Sequence, residues 1–188
     1  MVQTPVKTLT LEEFLQLPET KPASEYIDGQ VIQKPMPKAA HSVIQSDLST
    51  AINSAIKVNK IGRALPELRC TFGGRSIVPD ITVLPWGVIP RNENGKASDK
   101  DLCEAPHWMI EILSPGQSQM KIFKKIAYAL AHGTQLAWLI DPTEECVVGY
   151  TPDLPAVLYE ESDAQLPVPA FAADFQLTVG ELIGWLYE

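Results

Sequence analysis

The sequence predicts an α/β domain with a central mixed β-sheet flanked by helices. Three observations carry that prediction. HWMIEIL at residues 107–113 and LAWLI at 136–140 are apolar runs of interior-strand length. Between them lies a helix-length segment, and a strand, helix, strand succession of this span implies a right-handed parallel crossover. Upstream, SEYI and QVIQK are joined by Asp28-Gly29, the pair that favours a type I′ hairpin, so antiparallel pairing is expected as well.

Each element has its own signal. Thr10 and Glu13 form a capping box ahead of Phe14, Leu15 and Leu17, and Pro18 ends that short helix. After the hairpin, KPMPK cannot continue a strand and serves as a connector. From His41 to about Lys57, Val43, Ile44, Leu48, Ile52 and Ile56 recur at helical spacing. Residues 61–65 and 68–72 read as short strands, Gly73-Gly74 as a turn, and Ser76–Leu84 as one strand interrupted at Pro79-Asp80. The stretch from Pro85 to Pro106, rich in Pro, Gly, Asn and Asp, reads as an exposed loop. A helix from about Gln117 to Ala131 closes on Gly133. CVVGY and AVLYE add short strands, and Thr178–Leu186 forms a final helix capped by Thr178 with Glu181. These residues form a single domain over 1–188, with a core at about 24–141 and an extension at 142–188.

Composition narrows the class. At 188 residues and 45% hydrophobic, the chain can bury one sizeable core. No segment approaches a membrane span, and MVQTPVKTLTLEEF lacks the apolar run of a signal peptide. Cys70, Cys103 and Cys146 are odd in number and widely spaced, as expected of reduced thiols in a cytoplasmic protein. A net charge of −8 argues against a protein that coats nucleic acid through general basicity. It leaves room for an acidic site that attracts phosphate once a divalent cation is bound.

The chemistry points to carboxylates in apolar surroundings. Asp80 lies within IVPDITVL and Glu111 within WMIEIL. An ionised side chain in a sheet interior costs several kcal/mol unless it is compensated. A cation shared by the two acids would do so, and hard oxygen ligands suit Mg²⁺ or Mn²⁺ better than zinc. The competing reading is a structural ion pair with Arg75, Lys121, Lys124 or Lys125. Lys121 and Lys125 are four residues apart on the predicted helix, so either could reach the end of the Glu111 strand.

VPDITVL, MIEILSP, the lysine-bearing helix and HGTQLAWLIDP together resemble the PD-(D/E)xK nuclease superfamily. Within it the chain is similar to the Uma-two family of restriction endonucleases, over roughly Leu11 to Asp141. SEYIDGQVI and HSVIQSDL extend the likeness upstream. The resemblance implies a restriction-endonuclease-like fold and Mg²⁺- or Mn²⁺-dependent cleavage of DNA. It makes Asp80 and Glu111 metal ligands, Glu25 a third acid and His41 a polar neighbour. The superfamily's usual lysine position is occupied by Leu113, which moves that role to Lys125, with Lys121 the alternative. A homodimer is expected by analogy with enzymes that cut both strands, through apolar surface on GELIGWLYE. The rival reading is a non-catalytic binding or regulatory module on the same fold.

By residue type alone, a glutamate beside a turn such as Glu25 faces solvent, and a lone histidine such as His41 is a hydrogen-bonding residue at a helix start. Gln45, one turn after His41, is a candidate phosphate contact. Arg75 suits an exposed salt bridge or a backbone contact to nucleic acid. Ser114 suits a helix cap.

Overall fold

The computed structural model describes residues 9–99 and 101–188. The opening segment on which a signal peptide was sought lies largely outside the described residues, as does Lys100 in the long loop. The chain is a mixed α/β fold built on two sheets. The elements run α1 (Leu11–Leu15), β1 (Ser24–Ile27), β2 (Gln30–Gln33), α2 (Ala39–Ile56), β3 (Gly62–Pro66), β4 (Cys70–Phe72), β5 (Arg75–Ile77), β6 (Ile81–Pro85), β7 (Trp108–Ile112), α3 (Gln119–Ala131), β8 (Leu136–Asp141), β9 (Cys146–Thr151), β10 (Leu154–Tyr159) and α4 (Val179–Gly184).

The larger sheet has the order β10-β9-β8-β7-β6-β3, with β7 and β8 parallel across α3 and the other neighbours antiparallel. The expected crossover is therefore present, and β7 and β8 occupy the interior their apolar runs required. On one face α2 and the C-terminal segment pack over Trp108, Ile110, Trp138 and Ile140. On the other, α3 and the smaller sheet pack over Met109, Ala137 and Leu139. Strand alternation thus turns Glu111 toward the α3 face.

The smaller sheet is antiparallel, in the order β2-β1-β5-β4. Its β1–β2 hairpin turns through Asp28 at φ 50 and Gly29 at φ 82, both left-handed as a type I′ turn requires. The run expected as one strand at Ser76–Leu84 is instead two strands in different sheets. β5 pairs with β1 and β4, β6 pairs with β3 and β7, and Val78-Pro79-Asp80 carries the chain between them. Proline lacks the N–H that a continuous ladder needs, so the sheet changes there.

Two further expectations are revised. The 85–106 loop is partly core: Ile89, Leu102 and Ala105 are buried, and Leu102 bridges to Cys70. The final helix caps on Thr178 and Glu181 as expected. Its apolar residues Val179, Leu182 and Ile183, however, are buried in the core that includes α2. Of the segment on which a homodimer was expected, Leu182 and Ile183 are therefore covered within the chain, Trp185 and Leu186 are half-buried and Tyr187 is exposed. Residues 142–188, read as an extension, supply β9 and β10 to the main sheet and part of its core.

Candidate active site

The two strand acids meet because of register. β6 and β7 pair antiparallel with Ile81 opposite Ile110, so one further step sets Asp80 against Glu111. Residues opposite one another project to the same face. Asp80 is 3% exposed and Glu111 2%. The Ile112 N–H donates to Asp80 Oδ2 at 2.7 Å, fixing the first acid against the strand that carries the second.

Lys125 comes from α3, whose buried face is Ile122, Lys125, Ile126 and Ala129. Its Nζ lies 2.9 Å from Glu111 Oε1 and donates to Glu25 Oε1, also at 2.9 Å. The Glu111 Oε1 contact is close enough for an ion pair but lacks hydrogen-bond alignment, which leaves that buried oxygen only partly satisfied. Glu25, on β1, also accepts the Val78 N–H at 2.8 Å. Lys121 is exposed and makes no ion pair with the acids among the described residues. The structure thus brings Lys125 to the acids and leaves Lys121 outside.

His41, at the start of α2, is buried with Nε2 3.5 Å from Asp80 Oδ1 and Nδ1 3.3 Å from Ser114 Oγ. Ser114 therefore meets His41 rather than capping α3, whose N-cap is Ser118. Gln45 donates to the Asp80 backbone carbonyl at 2.8 Å and so helps to shape the Asp80 loop. Arg75 makes the exposed salt bridge expected of it, at 2.6 Å from Asp28, with its guanidinium over the Tyr128 ring.

Sequence reasoning missed Lys34, which was read as part of a connector. Its Nζ donates to Asp80 Oδ1 at 2.6 Å and to the Val78 carbonyl at 2.8 Å. The connector has no periodicity that would mark one of its lysines, and Lys34 is 46 residues from its partner.

These contacts set the electrostatics. Burial pushes Asp80 up, but Lys34, His41 and Lys125 outweigh it and hold the carboxyl below the ordinary range. Burial pushes Glu111 up to about 7, against the pull of Lys125 and with the repulsion of Asp80. Burial disfavours the Lys125 charge, yet Glu111, Glu25 and Asp80 together raise its pKa well above the usual value. Lys125 is therefore an ammonium at neutral pH.

Beside this cluster runs a groove of about 570 Å³ between the β1–β2 hairpin and the first turns of α3. Lys34, Arg75, Lys121, Lys124 and Lys125 line it against only two acids, Glu25 and Asp28. Lys34 and Lys125 are paired with Asp80, Glu111 and Glu25, and Arg75 with Asp28, so among the described residues the cations that line it without an ion pair are Lys121 and Lys124.

Among the described residues, no three His, Cys, Asp or Glu side chains gather closely enough to hold an ion on their own. Glu25 Oε1 is engaged by Lys125 and the Val78 N–H, so Glu25 reaches the cluster through Lys125. Asp80 and the incompletely satisfied Glu111 do fit a hard cation of the kind that takes one or two carboxylates and completes its shell with water and phosphate oxygens.

A family model described as "Putative restriction endonuclease", Uma2, matches residues 11–180. The chain belongs to the Uma2 family. Its fold is similar to the crystal structure of a "putative nuclease belonging to DUF820" from Anabaena variabilis, with a TM-score of 0.91 and 54% identity over 94% of this chain and 98% of that one. No curated protein matches. The Uma2 match extends through β9, β10 and into α4, consistent with their place in the sheet and core. Among the described residues no helix is long and apolar enough to cross a membrane.

Proposed function

We propose that the chain is a metal-dependent nuclease that hydrolyses phosphodiester bonds in DNA, with Asp80 and Glu111 as ligands of Mg²⁺ or Mn²⁺. The observation that carries this reading is the buried pair of opposed carboxylates, Asp80 and Glu111, held by Lys34 and Lys125, two lysines that line a groove. Membership of the Uma2 family and the likeness to a nuclease support it.

The chain's own residues have distinct tasks. The groove's basic side chains attract the phosphate backbone and set the strand beside the acids. Lys125, held by Glu25 and Glu111, is too strongly protonated to act as a base. It offsets negative charge developing on the phosphate and orients the attacking water. Glu25 positions Lys125, and the Ile112 N–H and His41 position Asp80. A bound divalent ion supplies Lewis acidity and lowers the pKa of the attacking water.

The test is plasmid cleavage in Mg²⁺ or Mn²⁺ by wild type, Asp80→Ala, Glu111→Ala and Lys125→Met, each checked for folding by circular dichroism. Activity is expected to fall on the order of 100-fold or more in each variant. Cleavage at the wild-type rate by the folded Asp80 and Glu111 variants would mean a contaminating nuclease, and the proposal would fail. One observation favours the rival reading of a non-catalytic nucleic-acid-binding module: Lys34 and Lys125 already neutralise the acids. That reading requires DNA binding without any cation uptake that depends on Asp80.

A further inference from the structure

We infer that Lys34 is an exchangeable cation of the site: it occupies the Asp80 carboxylate in the absence of a divalent ion, and on yielding it turns to the substrate phosphate. This rests on the reading of Asp80 as a cation ligand and adds a residue that neither the sequence pattern nor the family likeness assigns.

The two lysines at the acids are held differently. Lys125 is clamped between two carboxylates from different strands. Lys34 has one carboxylate and one carbonyl, and it lines the groove. Its backbone is anchored, since Lys34 N–H donates to the Ala23 carbonyl at 2.9 Å and Pro35 follows. The side chain is therefore the part free to move, on a flexible four-carbon stem.

Asp80 does not depend on Lys34 for its position. Oδ2 is fixed by the Ile112 N–H, while Oδ1 is the atom that Lys34 holds at 2.6 Å. A divalent ion approaching that oxygen meets an ammonium at contact distance, and two cations cannot share it without strong repulsion. Lys34 must yield, and its nearest open space is the groove where the phosphate backbone would lie.

Competition of this kind has a sign that a merely structural lysine would not produce. Mn²⁺ binding to the full-length protein, without nucleic acid, would be followed by calorimetry for wild type, Lys34→Met, Lys34→Arg and Asp80→Asn. Lys34→Met is expected to bind Mn²⁺ at least about tenfold more tightly, because the competing charge is gone. Lys34→Arg should return toward wild type. Equal or weaker binding by Lys34→Met, or tight binding by Lys34→Arg as well, would overturn the inference. If Asp80→Asn binds as wild type does, the cation reading of Asp80 fails and the Lys34 inference with it. If binding needs Asp80 but ignores Lys34, only the inference falls.

A second measurement uses wild type alone, should Lys34→Met not fold. Amine labelling read by mass spectrometry should show Lys34 becoming more reactive at saturating Mg²⁺ while Lys125 stays protected. Unchanged Lys34 labelling at saturation would overturn the exchange.

Discussion

At the scale of the residue, a few charges settle what the site can do. Glu111 is the carboxyl that burial affects most visibly: folding raises it from 4.5 to about 7. Between those values the folded protein retains a proton that the unfolded chain has released, so stability falls as pH rises through that window. Asp80 shifts the opposite way, and its contribution is lost only as pH falls below the ordinary Asp value of 3.8. Thermal melts in chelator at pH values across that window should therefore show wild type losing stability toward neutral pH. Glu111→Gln should flatten that slope, and an unchanged slope would contradict the burial of an ionisable Glu111. Asp80, Glu111 and Lys125 were legible because each breaks a pattern: an acid in an apolar strand, or a lysine on a helix facing a sheet. Lys34 breaks none, since a lysine in a proline-rich connector is unremarkable until the fold delivers it to Asp80.

At the scale of the element, the turn after β4 is a critical joint. Gly73 has φ +57 and its carbonyl accepts the Tyr128 hydroxyl, while Arg75 lies over the Tyr128 ring and pairs with Asp28. One turn thus ties α3 to the smaller sheet and sets the wall of the groove. A Cβ at position 73 would run into the Tyr128 hydroxyl and the His132 ring on a backbone that L side chains rarely adopt. Gly73→Ala should therefore destabilise the protein by about 1–3 kcal/mol, measured by chemical denaturation. Gly74→Ala meets no neighbour and should show backbone strain alone, at φ +91. The Gly73-Gly74 turn was legible as a turn. That the strand after it divides between two sheets was not, because Pro79-Asp80 reads equally as an interruption within one strand and as a passage between two.

At the scale of the whole molecule, net charge and local charge disagree. A −8 chain repels a polyanion at long range, yet the groove's lining includes lysines that no ion pair among the described residues neutralises. Binding should therefore depend steeply on salt, since each neutralised phosphate releases counterions. Lys121 and Lys124 are exposed on α3 and make no ion pair among the described residues. Lys121→Ala/Lys124→Ala should lower the salt slope of duplex binding, measured by fluorescence anisotropy with chelator present, by about 2. An unchanged slope would place the DNA elsewhere. Lys121 thus takes part as a groove residue, outside the acid cluster where the sequence offered it as an alternative to Lys125.

The sequence by itself determined the layered α/β architecture, the hairpin, the parallel crossover and the identity of the two opposed acids. Those features rest on periodicity, caps and turn chemistry, all of which act between near neighbours. Tertiary structure alone decided that β5 and β6 separate and that Val179, Leu182 and Ile183 of the C-terminal helix are buried within their own chain, and it places Lys125, which the family resemblance preferred to Lys121, beside the acids. It also decided that Lys34 holds Asp80 and that Glu25 braces a lysine. Each of these is a contact between segments tens of residues apart, where packing space and charge compensation choose the partner and no local pattern records the choice.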